Sequence, residues 1–338
     1  MKQPQNMKPR NLYLILLFIL LLPAVHEVFA HAPDKPTDNE TLASAYVISN
    51  PSKSWAIYAE LHEGEEAQYY KFDLAQNERL YAMLFIPTSE NAEFMPSLVV
   101  MGPGIASQDA LPEFVETVED QGIMLLEAQR PPNPTSEAFT PSSYYYLTSL
   151  DQEVSAAGTY HVAVYEPSLG GRYGLAIGYR EEFGLDEFVM IPIDVIGIHQ
   201  WEGQSLLFII APLLVTLAIG FALLILKRPA TLRTIFGVIG ISAGLLYLGS
   251  GLMTLTQMIL ALTTATPDVT VVLTVVFILI PILLSMAVFR LTVKGKEVTN
   301  RVRVSIAILG VLGLFAWAGI LIGPVLALLA SLLPSKRF

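Results

Sequence analysis

The chain has no cysteine at all. Without a thiol there is no disulfide, no thiolate metal site, no cysteine nucleophile, no c-type haem attachment and no lipid-modified N-terminal cysteine. Charge is scarce as well. Only 15% of the 338 residues are Asp, Glu, Lys or Arg, against about a quarter in ordinary soluble domains. Hydrophobic residues reach 53% and the mean hydropathy is +0.53, which excludes a chain that is simply one soluble domain. There is no HExxH zinc helix, no phosphate-binding P-loop and no dinucleotide fingerprint.

The charge that is present falls unevenly. Residues 1–30 balance to +2, residues 31–202 to −20 and residues 203–338 to +8, within a formal total of −10. The first region reads as a secretory signal (1–30): Lys2, Lys8 and Arg10 precede the apolar run 12–22, and Val28-Phe29-Ala30 supplies a small-residue cleavage site. Cleavage there makes His31 the mature N-terminus. The third region reads as four membrane helices (205–333), at 205–226, 234–262, 269–289 and 304–333, followed by the tail 334–338. The loop 227–233 holds three basic residues and 290–303 holds five, whereas 263–268 holds none. That asymmetry places the basic loops in the cytoplasm and both the acidic region and the C-terminus outside a cell membrane crossed several times.

The spans carry no ionisable residue away from their ends, which argues against a pump, a proton-coupled transporter or b-type haem. They do carry small residues. Gly237, Gly240, Gly244 and Gly251 share one face of the second span, suited either to closing the bundle or to packing on a partner membrane protein.

The acidic region reads as short strands. Expected strands lie at 54–61, 69–74, 79–86, 97–101, 122–128, 144–148, 159–165 and 172–178, separated by breakers such as Gly102-Pro103-Gly104 and Gly170-Gly171. Tyr70, Phe72 and Leu74 fall on one face by period-two alternation. The fold class is thus an all-β sandwich or jelly roll (31–180), antiparallel in its pairing, followed by an all-α four-helix transmembrane bundle. Residues 131–143, rich in Pro, Ser and Thr, read as an exposed loop, and Tyr144-Tyr145-Tyr146 as an edge strand with one tyrosine in the core. Asn39-Glu40-Thr41 is a glycosylation sequon, which makes Asn39 a candidate acceptor. Residues 181–204 read as a membrane-proximal strap with Trp201 in the interfacial belt, or as a final strand and linker, and Pro192 argues against one continuous helix there.

Two stretches, Glu60-Leu61-His62-Glu63-Gly64-Glu65-Glu66-Ala67-Gln68-Tyr69-Tyr70-Lys71-Phe72-Asp73-Leu74 and Gly158-Thr159-Tyr160-His161-Val162-Ala163-Val164-Tyr165 with Gly171-Arg172-Tyr173-Gly174-Leu175, resemble the bacterial pre-peptidase C-terminal type of β-sandwich. The resemblance covers 61–178 and implies an accessory binding or stabilising module. Glu65-Glu66-Ala67-Gln68 stands where the family carries an Asp-rich turn, so the resemblance does not extend to an inherited calcium site.

Two functional readings follow. The leading one is a non-enzymatic, membrane-anchored cell-surface protein that binds a ligand or partner, including a subunit role in a membrane complex. The alternative is an extracytoplasmic copper-binding protein or oxidative enzyme. A terminal His31 offers an amine and an imidazole to one ion, and His62 or His161 supplies the second imidazole of a planar nitrogen site that favours Cu(II). The start His31-Ala32-Pro33 resembles secreted copper proteins and lytic polysaccharide monooxygenases. The excess of carboxylates could also attract calcium, and it repels nucleic acid.

Overall fold

The computed structural model describes residues 32–34, 36–227, 232, 234–267, 269–293 and 298–333. The expected signal segment, His31 and the 334–338 tail lie outside the described residues. Among the described residues eleven strands form: β1 (Ala32–Asp34), β2 (Tyr46–Val47), β3 (Trp55–Leu61), β4 (Glu66–Leu74), β5 (Arg79–Pro87), β6 (Ser97–Gly102), β7 (Gly122–Leu126), β8 (Thr135–Glu137), β9 (Ser142–Glu153), β10 (Gly158–Glu166) and β11 (Gly171–Ile177). Eight of them fall where alternation and breakers place strands. The other three span only two or three residues, too short for a periodic pattern to register.

The strands form two mixed sheets, a six-stranded one in the order β1-β3-β11-β5-β9-β8 and a five-stranded one in the order β2-β4-β10-β6-β7. The pairing is not antiparallel throughout: the short β1 and β2 lie parallel to β3 and β4. The turn at 75–78 carries the chain from one sheet to the other, because β4 pairs with β10 while β5 pairs with β11 and β9.

Alternation then sorts the side chains. Tyr70, Phe72 and Leu74 of β4 join Ile57, Leu84, Val162 and Leu175 in one core built from both sheets. Tyr70 and Tyr173 meet there through their hydroxyls at 2.6 Å, and Tyr173 donates to Gln68 Oε1 at 2.6 Å. The opposite face of the five-stranded sheet, with Tyr69, Ala163 and Tyr165, is covered by Leu111, Phe114, Val115 and Val118. The opposite face of the six-stranded sheet, with Ala56, Tyr58, Phe85 and Tyr144, is covered by Ile198 and Trp201 from the next element.

Among the described residues six helices follow: α1 (Leu185–Trp201), α2 (Leu206–Lys227), α3 (Ile235–Thr264), α4 (Val271–Thr292), α5 (Asn300–Phe315) and α6 (Ile322–Leu332). Among the described residues α2, α3 and α4 are long and apolar enough to cross a membrane. Gly240 and Gly244 let α4 approach α3. A Cβ at Gly240 would sit 2.5 Å from Thr292 Cγ2, and one at Gly244 2.8 Å from Phe289 Cε1. Gly251 meets Ile282 and Ile278 of the same helix, and Gly237 is buried. Three of these four glycines thus pack against α4 within the chain.

Three expectations need correction. First, α1 is one helix of 17 residues despite Pro192. The carbonyl of Phe188, which loses its usual amide partner to that proline, accepts the indole N–H of Trp317 at 2.8 Å instead. Second, the span expected over 304–333 is broken into α5 and α6. The residues between them include Trp317, Gly319, Ile320 and Leu321 with φ of +49°, +70°, +50° and +61°, a left-handed run that reverses the chain. Arg303 Nη1, near the start of α5, donates to the carbonyls of Ser331 and Leu333 at 2.9 and 2.5 Å, so α5 and α6 form an antiparallel hairpin. The chain leaves α6 at the end where α5 began, not at the opposite end as a single span requires. Third, residues 131–143 are not an exposed loop throughout: Pro132 and Asn133 are exposed, but the rest is structured from Thr135 on. That part forms β8 and a segment packed on the helices, where Thr274 Oγ1 donates to Ala138 O at 2.7 Å and Phe139 meets Phe277 and Trp317 at 5.9 and 5.8 Å.

Candidate functional site

The last turn of α1 builds the site. Acidic Asp186 and Glu187 open this helix against its positive end, and Glu187 is ion-paired with Lys53 of the β domain. From there the helix runs to Trp201, which packs on the β domain. Its indole packs edge-on against Tyr58 at 4.9 Å and close to Tyr144 and Phe85, and Nε1–H donates to Ala59 O at 2.9 Å. Such edge contacts are worth roughly 0.5–1.5 kcal/mol each beyond the area buried. Arg172, paired with Glu90, donates to Trp201 O at 2.9 Å. Ser89 Oγ donates to Glu202 O at 2.8 Å. Gly203 makes this closeness possible, with φ of +96° and no room for a Cβ, which would lie 2.6 Å from Arg172 Nη1.

Within this frame two buried side chains, Tyr144 and His199, meet the half-buried Glu202. Tyr144 donates through its hydroxyl to Glu202 Oε1, and His199 Nδ1 meets Glu202 Oε2, each at 2.8 Å. Tyr144 and His199 are each only 2% exposed. Burial first, and then the Glu202 charge, push the Tyr144 phenol well above its ordinary range, so it remains a donor. A carboxylate only accepts, so the hydrogen between His199 and Glu202 belongs to Nδ1. No group among the described residues bonds to His199 Nε2, and it is buried. His199 is also among the residues that line a cavity of about 110 Å³ where the β domain, α1, α3, α4 and the turn before α6 meet.

The arrangement orients an imidazole through a carboxylate, but Nε2 has no hydroxyl within hydrogen-bonding reach to activate. The string Gly240-Ile241-Ser242-Ala243-Gly244 spells Gly-x-Ser-x-Gly, yet it lies inside α3. Ser242 Oγ bonds back to Val238 O at 2.9 Å, whereas a nucleophile elbow needs a strand-to-helix turn.

The histidines expected to bind metal lie elsewhere. His31 is outside the described residues. His62 is exposed, its Nδ1 3.5 Å from Glu66, and it lines an open polar groove with Glu60, Glu90 and Arg172. His161 sits on β10 opposite Lys71 and Met101, on the face away from Tyr160 and Val162. Burial and then Lys71 push its imidazole below its ordinary range. Glu66 pairs with Glu166 at the far end of β10 from His161, a separation of roughly 17 Å along the strand. Among the described residues no group of three or more His, Asp or Glu side chains is gathered for a metal ion. Asn39 is 2% exposed and its amide donates to Tyr69 O at 3.2 Å, so the folded protein does not present it to a glycosylating enzyme.

His199 and Glu202 were not among the residues singled out from sequence. Their only signal is a His and a Glu three apart on a helix, and Pro192 argued against that helix. No protein-family model matches the chain, and no curated protein matches it in sequence.

Proposed function

We propose that the chain is a multi-pass cell-membrane protein whose acidic β-sandwich, of the pre-peptidase C-terminal type it resembles, stands outside the cell and binds a ligand or partner without catalysing a reaction. The observation that carries this reading is the seat of the β domain on the helices. A tether needs one covalent link. Here Trp201 enters the six-stranded sheet, Phe139 enters the helices, and Ser143 and Thr264 join hydroxyls at 2.7 Å. A domain held at several points presents its far face at constant height, and that face carries the five-stranded sheet and the acidic 103–121 segment. The fixed seat also passes displacement of the β domain into α3 and α4. The apolar side chains exposed along α2 and α4, such as Leu214, Ile219, Leu223, Leu279 and Leu283, suit contact with acyl chains. Leu185, Val189, Met190 and Ile193, exposed along α1, suit the membrane surface.

Because the chain has no cysteine, single introduced thiols test the placement. A membrane-impermeant maleimide is expected to label Glu119→Cys in intact cells and Gly295→Cys only after permeabilisation. The reverse pattern overturns the reading. The same thiol at position 119, carrying a photoreactive group, tests the binding half. One adduct of defined mass is expected in producing cells, and none from positions 119 and 153 contradicts it.

A further inference from the structure

We propose that the cavity at the junction of the β domain and the helices takes the end of a lipid acyl chain from the leaflet next to the β domain. The helices that wall the cavity fix its depth. At 1.5 Å per residue, Ile209 lies about 5 Å into α2, and Phe277 and Pro281 lie about 9 and 15 Å into α4. Gln257 and Ser250 lie roughly 10 and 21 Å back from the end of α3. The β domain sits at these same ends, where Ser143 bonds to Thr264 and Thr135 bridges to Thr266. The hydrocarbon core of a bilayer is about 30 Å thick, so the cavity lies at the depth of acyl chains and below the headgroups. Pro192, Val195 and Ile196 of α1 line it, while Val189 and Ile193 are exposed on the opposite side of the same helix.

The cavity offers a ligand no polar partner. Gln257 and Gln204 exchange two hydrogen bonds at 2.8 and 2.9 Å. Ser250 Oγ donates to Tyr247 O at 3.0 Å and accepts from Gly319 N at 2.7 Å, and Thr254 Oγ1 donates to Ser250 O at 3.2 Å. His199 Nδ1 is held by Glu202, and Nε2 is buried out of reach. What remains is apolar wall, including Val195, Ile196, Met253, Phe277 and Trp317. A buried water needs two to four polar partners, so water fits poorly. A void left empty forfeits the dispersion contacts of its lining. A chain end from the adjoining leaflet restores them and exchanges one apolar surrounding for another. The cavity is not sealed, and its volume is about 110 Å³. An apolar cavity of roughly 150 Å³ takes benzene, so a few terminal carbons fit here and a whole lipid does not. Trp317 and Ile320, which line the cavity, hold positive φ without being glycine, and such strain concentrates at ligand sites. The inference rests on the helices lying in a bilayer, and not on which side of it the β domain occupies.

The test is photolabelling of the full chain in nanodiscs of phosphatidylcholine that carries a diazirine at the end of one acyl chain, with adducts mapped by peptide mass spectrometry. Ile219 and Leu223, exposed on α2, report contact with bulk lipid. Met253 and Ile191, buried on the cavity wall, report entry. The wild-type chain is expected to carry adducts at both pairs. Val195→Phe, which fills the cavity, should lose those at Met253 and Ile191 and keep those at Ile219 and Leu223. A wild type labelled at Ile219 and Leu223 alone overturns the proposal and leaves the membrane placement standing. Adducts at Met253 and Ile191 that persist in a folded Val195→Phe overturn it as well, since the chain end then reaches them by another route. No adduct at any of the four positions means that the helices do not lie in lipid, and the proposal falls with that reading. If thermal melting shows Val195→Phe to be unfolded, Ala316→Leu fills the cavity from the α5 side, and the wild-type pattern decides in either case.

Discussion

Pro192 has no amide hydrogen to give, and Trp317 makes up the loss from a different helix pair. The indole donates to Phe188 O at 2.8 Å, so its removal takes a donor from a partly buried carbonyl, at a cost of about 1–3 kcal/mol. Trp317→Phe should lower unfolding stability by that amount, and Pro192→Ala should restore most of it by returning the amide at position 192. Equal losses from Trp317→Phe in the Pro192 and Pro192→Ala backgrounds, measured by denaturant unfolding, contradict the pairing. Glu137 gives a second test at this scale. Its carboxylate accepts from Phe139 N, Thr140 N and Thr140 Oγ1 at 3.1, 2.6 and 2.7 Å. Burial outweighs these bonds and, with the charge of Glu202, raises its pKa above the ordinary 4.5. The folded state therefore holds this proton more tightly than the unfolded chain does. Its stabilising contribution is complete below about pH 4.5 and declines as pH rises through the raised value. Compared with Glu137→Gln, wild-type stability should fall across that window, and a rise contradicts the assignment.

At the scale of elements, the hairpin of α5 and α6 changes where the chain ends. Under the proposed topology residue 300 follows a cytoplasmic loop, so the segment after Leu333 returns to the cytoplasm, where Lys336 and Arg337 agree with the positive-inside rule. An impermeant maleimide should reach Ser335→Cys only after permeabilisation, and labelling in intact cells means a continuous last span. The sequence showed an apolar stretch long enough to cross, and hydropathy has no term for the left-handed turn through Trp317 and Leu321. Strands were legible for a simpler reason. Tyr70, Phe72 and Leu74 alternate with residues bound for the opposite face, and period-two burial is written directly into residue order. The short parallel strands and the site were not legible. Tyr144, His199 and Glu202 lie up to 58 residues apart and meet only because α1 persists through Pro192, a stability supplied by Trp317 from 129 residues away.

For the whole molecule, the formal charge of −10 divides into an acidic β domain and basic loops between helices, and the structure joins the two halves through an aromatic and hydrogen-bonded seat. That seat is the central claim, since a platform for binding, a coupled motion and a cavity at the junction all depend on it. Ser143 and Thr264, one on β9 and one on α3, have hydroxyl oxygens 2.7 Å apart, within the reach of a disulfide. In the double variant Ser143→Cys/Thr264→Cys, mild oxidation of the membrane-embedded chain should take the titratable thiols from two per chain to none. Two thiols that stay free under the same oxidation would mean that the β domain does not rest on the helices.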